Sequence, residues 1–323
     1  MRSMKNQPVV QLRNAADNDV YMPVVGLGTG GYGKLDGSGG EYWGCDQGHN
    51  ATVAWLKMGG RRIDTSDDYI SCDGVGTGWV ASGVPRSEIF ITSKVDASSY
   101  DQALENFTAI LKSLQTDYVD LLLIHWPGQV PDKADKSMRS FRDQRIQTWR
   151  ALETLFQQKR VSFILILELF WDVKFVFHPL GAINISLFIL NILPFQVEFH
   201  PYWHEDELLD FCQKHNITFN SYSSVGCPDR GATLGTDWNP IPSLLQHPDV
   251  IKIADKHKKK PAQVILRWHW QQGVVVNPRT SDPTQMRENM SIFDFELDKQ
   301  DMMILSYLNH PMSKVCGDSR LIF

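Results

Sequence analysis

The sequence predicts a (β/α)8 barrel, eight parallel strands each followed by a helical stretch. Three observations carry that expectation. Short apolar, β-branched runs recur along the 323 residues, separated by longer stretches of helical period. There are eight such runs, the number that closes a parallel barrel. No internal repeat and no Gly/Ser- or Pro-rich linker splits the chain, so a single domain over 1–323 is expected. An open doubly wound sheet is the competing architecture.

The first four strands are Val24–Thr29, Arg62–Ser66, Ile89–Val95 and Val119–His125. The second four are Val161–Leu167, Phe195–His200, Thr218–Ser223 and Val274–Arg279. Helices are expected over Asn50–Met58 and over Tyr100–Leu114, where Leu104, Phe107, Ile110, Leu111 and Leu114 fall on one face. Gln147–Gln158 and Glu205–His215 have the same period, and Pro261–Gln271 opens with a proline, as a first helical turn allows. The glycine run Gly26–Gly31 would suit a phosphate cradle only if a helix followed it. None does, and Pro23 precedes it closely, so it reads as a turn.

Composition narrows the class. Thirty-two Lys and Arg against 37 Asp and Glu leave a net charge of −5, which argues against a nucleic-acid partner. A charged fraction of 21% with 11% aromatic residues excludes general disorder. The five cysteines, Cys45, Cys72, Cys212, Cys227 and Cys316, are odd in number and widely spaced, with no CxxC. That argues for a reducing compartment and against a disulfide framework or a structural zinc. The first twenty residues hold no apolar run of signal-peptide length, so a cytoplasmic protein is expected.

In a parallel barrel the reacting groups stand at the C-terminal ends of the strands. Asp64 ends the second, with Tyr69 five residues on; Lys94 ends the third and His125 the fourth. Taken singly, each has an ordinary structural explanation: a turn-capping aspartate, a solvated lysine, a core histidine, a packing tyrosine. Together they converge on one mouth. The lysine needs a carboxylate, which Asp64 supplies. A cation beside a phenol lowers its pKa from a reference near ~10 and makes it a usable general acid. The imidazole can hydrogen-bond a carbonyl oxygen.

These residues sit in motifs that resemble the aldo-keto reductases. The motifs are Met22–Gly30 (MPVVGLGTG), Gly59–Tyr69 (GGRRIDTSDDY), Val84–Val95 (VPRSEIFITSKV) and Asp120–Gly128 (DLLLIHWPG). Phe195–Tyr202 (FQVEFHPY), Asn220–Gly226 (NSYSSVG) and the stretch Asn277–Leu297 continue the series in order, over most of the chain. The resemblance implies metal-free reduction of a small aldehyde or ketone by NADPH. A monomer without nucleic-acid or membrane partners is expected. Tyr69 is then the proton donor, tuned by Lys94 and Asp64. His125 orients the carbonyl, Trp126 walls the pocket, and Gly30 stands where many relatives carry a bulky aromatic, implying a roomier pocket. The implied cofactor contacts are Thr29 and Asp64, then Gln196 at the nicotinamide amide, Tyr222 stacked on the ring, and Ser223. Arg279 stands where the family usually has lysine and can pair with a 2′-phosphate. Thr280 follows it, and Glu288 and Asn289 match positions at the adenine amine. Gln285 replaces the arginine that commonly stacks on the adenine. NADP is thus expected over NAD. The lysine run Lys256–Lys260 reads as a solvated helix end. His200 and His204 share an i, i+4 spacing with no third ligand, so no metal is expected. The segment Pro311–Phe323 is expected at the mouth.

One stretch departs from the pattern. The family's Ser-Asn pair, which binds the nicotinamide amide, is missing after the fourth strand. An ungapped reading puts Leu167 and Glu168 there, and Glu168 can accept from the carboxamide but cannot donate. Residues 161–193 are apolar at 23 of 33 positions, with Glu168, Asp172 and Lys174 the sole charges. Three readings stand open: a divergent fifth strand and helix within the barrel, foreign sequence from a retained intron or faulty gene model, or a membrane span over the 19 charge-free residues Phe175–Leu193. The last is interrupted by His178, Pro179, Gly181 and two asparagines. The alternative function is accordingly a barrel that binds cofactor but is catalytically impaired or regulatory.

Overall fold

The computed structural model describes residues 7–12, 20–30, 43–126, 138–166, 195–227, 243–310 and 313–314. An antiparallel hairpin, β1 (Val9–Leu12) with β2 (Val20–Pro23), comes first and was not anticipated; it buries Leu12 and Met22.

All eight predicted strands are present. Five run parallel in chain order: β3 (Leu27–Gly28), β4 (Arg62–Asp64), β5 (Phe90–Val95), β6 (Val119–Ile124) and β7 (Val161–Ile166). Three more, β8 (Phe195–Glu198), β9 (Phe219–Tyr222) and β10 (Val274–Val276), form a second parallel sheet. The sheets meet where Val25 bridges Val276. There Gly26 N donates to Val276 O at 2.8 Å and Val276 N to Val24 O at 2.9 Å. The last strand thus lies against the first, as in a barrel and unlike an open doubly wound sheet, while β7 and β8 are not paired with each other among the described residues. Residues 167–194, between β7 and β8, lie outside the described residues, as do most of the apolar stretch and the Leu167–Glu168 pair. The first six residues of that stretch are ordinary barrel strand: β7 is in register with β6 from Val119↔Val161 to Ile124↔Ile166. Among the described residues no helix is long and apolar enough to cross a membrane, and Phe175–Leu193 is not among them.

The glycines expected to form a turn instead run into a strand, and the interior explains why. A Cβ on Gly26 would stand 2.5 Å from both Arg62 Nε and Asn277 Oδ1, so the absent side chain makes room for a buried arginine.

The helices outside the strands are α1 (Cys45–Lys57), α2 (Cys72–Ser82), α3 (Tyr100–Ser113), α4 (Met138–Gln157) and α5 (Asp206–Lys214). They continue with α6 (Pro248–His257), α7 (Pro261–Gln271), α8 (Pro283–Met290) and α9 (Lys299–Ser306). The helical period of α3 is realised as expected, with Ala103, Phe107, Ile110 and Leu111 buried and Ser99 capping Gln102 N. Helix α2 was not foreseen, because Gly74, Gly76 and Gly78 weaken helix propensity. Their function is contact: a Cβ at Gly74 would lie 2.0 Å from Cys45 O, and one at Gly76 2.0 Å from Ser113 O.

Candidate active site

Strand register brings the four chemistry-bearing residues together. Asp64 closes β4, Lys94 lies one residue before the end of β5, and His125 follows β6 directly. Tyr69 comes from the β4–α2 connection, folded back so that its N–H donates to Ser66 O. Lys94 Nζ donates to Asp64 Oδ1 at 2.6 Å, to Thr65 O at 2.8 Å and to the Tyr69 hydroxyl at 3.4 Å. An ammonium has three protons, and each has an acceptor here. Lys94 is 2% exposed and Asp64 5%. Burial is the largest influence on Lys94 and would lower its pKa; the Asp64 charge, the Tyr69 oxygen and the hydrogen bonds to both together outweigh it and hold the group above its ordinary value, so the lysine stays cationic.

Asp64 spends its other oxygen on two amides. Gln196 Nε2 donates to Oδ2 at 3.1 Å and Asn277 Nδ2 at 3.3 Å. Asn277 and Asn220 in turn hold Arg62, a buried arginine that also donates to Pro23 O and Val276 O. Burial pushes its pKa down to about 9. Arg62, Asn220 and Asn277 were missed as site-building residues. The signal was present: Arg62 and Asp64 alternate on one strand and therefore share the barrel interior.

The Tyr69 and His125 rings meet edge to face with centroids 5.7 Å apart, and Trp126 stacks against His125 at 6.0 Å. Burial holds the His125 imidazole below its ordinary pKa despite Asp68. Gly30 packs directly against the tyrosine: a Cβ there would lie 2.6 Å from Tyr69 Cζ.

A cleft of about 580 Å³ opens beside these groups, within the usual range for a small-molecule site. Gly30, Asp64 and Tyr69 line it, with Tyr222 and Ser223, and so do Arg279, Glu288 and Asn289. Thr29, Lys94, His125, Trp126, Gln196 and Thr280 do not. Thr29 instead donates to Asp64 O, and the Thr280 hydroxyl is turned to Gln285 Oε1 at 2.6 Å. Arg279 lies 5.6 Å from the Trp43 ring. The lysine run divides. Lys256 pairs with Asp298 and Asp301 and Lys259 with Asp294, while Lys260 lines the cleft rather than standing clear of it. His200 and His204 do not share a site: His200 Nε2 faces Glu198, and His204 is held between Asp206 and Ser306 O. Of the segment expected at the mouth, nearly all lies outside the described residues.

The Aldo/keto reductase family model matches residues 25–164 and 184–309. The chain is 36% identical to glyoxal reductase of Bacillus subtilis over 299 residues, covering 90% of this chain and 91% of that one. It is 32% identical to the 9,11-endoperoxide prostaglandin H2 reductase of Trypanosoma cruzi, covering 93% and 92%. Among solved structures, an aldo/keto reductase from Brucella melitensis superposes with a TM-score of 0.72 at 31% identity, covering 93% of this chain and all of that one. The chain belongs to the aldo/keto reductase family, whose fold is the (β/α)8 barrel and whose members generally reduce small carbonyl compounds with NADP(H).

The residues present fit such a cofactor. The cleft carries an aromatic face at Tyr222 and a guanidinium at Arg279. Beneath it, the buried Gln196 side chain, anchored through Nε2, keeps an Oε1 with no hydrogen-bond partner, an acceptor suited to an amide N–H.

Proposed function

We propose that this protein is an NADPH-dependent reductase of small aldehydes or ketones, with Tyr69 as the proton donor. The observation that carries the proposal is the buried relay Asp64–Lys94–Tyr69. Nζ can only donate, so the Tyr69 oxygen is the acceptor in their contact and its own O–H is directed elsewhere. The bound nicotinamide supplies the hydride. Tyr69 delivers the proton to the carbonyl oxygen, and the adjacent ammonium stabilises the phenolate left behind. Asp64 keeps that ammonium charged and fixed in place. His125 and Trp126 form the substrate side. Arg279 and the rim residue Lys260 supply positive charge for a 2′-phosphate, which Gln285 cannot.

NADPH consumption with a panel of aldehydes and ketones tests the activity. Tyr69→Phe is expected to lower kcat at least ~100-fold, the usual contribution of a general acid, while NADPH still quenches tryptophan fluorescence. An unchanged rate would sink the mechanism. One observation favours a second reading, a barrel that binds NADPH and turns over poorly: the family match is interrupted over residues 165–183, where the Ser-Asn pair belongs. Quenching with no turnover on any substrate of the panel selects it.

A further inference from the structure

We propose that Arg62 is a positioning residue for proton transfer: a second buried cation that reaches Asp64 through the Asn277 amide, offsets its charge, and so favours the phenolate that Tyr69 becomes once it has given up its proton. This rests on the reading above that Tyr69 is the donor. Lys94 and Asp64 form an ion pair at 2.6 Å, which by itself carries no net charge. Arg62, 1% exposed, adds one positive charge to that pair, and the Tyr69 phenolate balances it. The partners of Arg62 among the described residues are four neutral oxygens: Pro23 O at 2.8 Å, Val276 O at 2.9 Å, Asn220 Oδ1 at 3.1 Å, and Asn277 Oδ1. None of them cancels the charge. Burial lowers its pKa to about 9, with Asp64 opposing, so the guanidinium is protonated near pH 7.

Hydrogen-bond geometry fixes the connection. Asn277 Nδ2 donates to Asp64 Oδ2 at 3.3 Å and to Asn220 Oδ1 at 3.2 Å, while its Oδ1 accepts from Arg62. Only this orientation of the amide joins a donor to an acceptor at every contact. Polarised by the cation, the amide is a stronger donor to the carboxylate. Oδ2 of Asp64 is thus drawn to Asn277 and Gln196, and Oδ1 is left to Lys94. The other charged and titratable groups around Tyr69 leave this balance to Arg62. Lys94 of β5 lies 4.8 Å from the ring centroid, and Asp96 follows that strand. His125 after β6 meets the ring at 5.7 Å and pairs with Asp68 at 3.2 Å; Asp67 and Asp68 share the tyrosine's own turn. Glu198 of β8 is taken by His200, and burial pushes the Cys72 thiol up to about 12. Burial raises Asp67 and Asp96 to about 6 and holds His125 below its ordinary value, and the bond to His125 holds Asp68 low. These four complete their titration before a phenol ionises.

The test is an NMR titration of the full-length protein labelled with 13Cζ-tyrosine, the Tyr69 signal being the one lost in Tyr69→Phe. Two variants separate charge from packing. Arg62→Met removes the cation. Asn220→Asp keeps an acceptor for both Arg62 and Asn277 and places a carboxylate on the guanidinium, so it neutralises the cation without dismantling the network. It also carries the test if Arg62→Met does not fold. Each variant is expected to raise the midpoint of Tyr69 ionisation by about one pH unit, the effect of one charge within ~10 Å in a protein interior. Arg62 releases its own proton near pH 9, which broadens the wild-type transition without reversing the comparison. In alcohol oxidation with NADP+ the phenolate takes the hydroxyl proton as hydride leaves for the nicotinamide, so the acid limb of that pH profile is expected to move by the same amount. A structural role alone would destabilise Arg62→Met and leave the midpoint of Asn220→Asp in place. An unshifted midpoint in either variant that folds, or a shift to lower pH, would overturn the proposal. Unchanged turnover in Tyr69→Phe would instead overturn the reading of Tyr69 as the donor.

Discussion

Asp64 shows how much one carboxylate can organise. One oxygen holds the Lys94 ammonium and the other takes two amide donors, so the charge is met on both sides inside a barrel where an unpaired ion would be costly. The same interior buries His269, whose two nitrogens lie 2.8 Å from the carbonyls of Ile265 and Phe199. Full burial outweighs those acceptors and pushes its pKa down to about 4, with His200 and His204 adding to the effect. The sign follows directly. Between pH 6.5 and about 4 the unfolded chain takes up a proton that the native ring refuses, so stability falls as pH falls through that window. His269→Gln is expected to remove a loss of roughly 3 kcal/mol across it, read from urea midpoints at the two pH values. Asp67 and Asp96, both raised to about 6, act in the opposite sense in both proteins and cancel from the comparison. At this scale Asp64, Lys94 and His125 stood out in the sequence because polar residues ended apolar strands, and Tyr69 because it follows Asp64 in the same motif. Asp68 was not, because an aspartate beside a tyrosine in a loop signals nothing until the β4–α2 turn sets it against His125.

Elements decide the cofactor side. Arg279 follows β10, Glu288 and Asn289 lie on α8, and Lys260 caps the start of α7, yet all four line one cleft. Residues from three segments make a polar and cationic rim that no single motif contains. Arg279→Ala and Lys260→Ala are each expected to weaken NADPH binding about tenfold, to change NADH binding little, and to flatten the salt dependence of the NADPH affinity. Fluorescence titration with both nucleotides checks this, and equal losses for the two would refute a role at the 2′-phosphate. The lysine run illustrates why sequence fell short. Lys256, Lys259 and Lys260 look alike in a row, and only the packing of α6, α7 and the segment around Asp294 sends two to carboxylates and one to the cleft.

At the scale of the whole molecule, the last strand lies against the first, and the buried Arg62, Asn220 and Asn277 network ties β4, β9 and the residue after β10 together across that seam. A ligand in the cleft contacts both sides of that seam. NADPH at a hundredfold excess over its Kd is therefore expected to stabilise the native state by about 2.7 kcal/mol, a rise of roughly 5 °C or more in Tm by calorimetry. No shift would mean that the cleft does not bind it. The sequence by itself determined the number and order of the strands and the family, and it singled out Asp64, Lys94 and His125 at strand ends with Tyr69 in the turn after Asp64, because period, motif order and strand-end polarity are local properties of the chain. Tertiary structure alone decided that Arg62 is held by Asn220 and Asn277, that Tyr69 occupies the space beside Gly30, that Asp68 meets His125, and that Lys260 reaches the cleft. Those are contacts between residues distant in sequence or folded back by a turn, and only the closure of the barrel brings them within hydrogen-bonding or Coulombic reach.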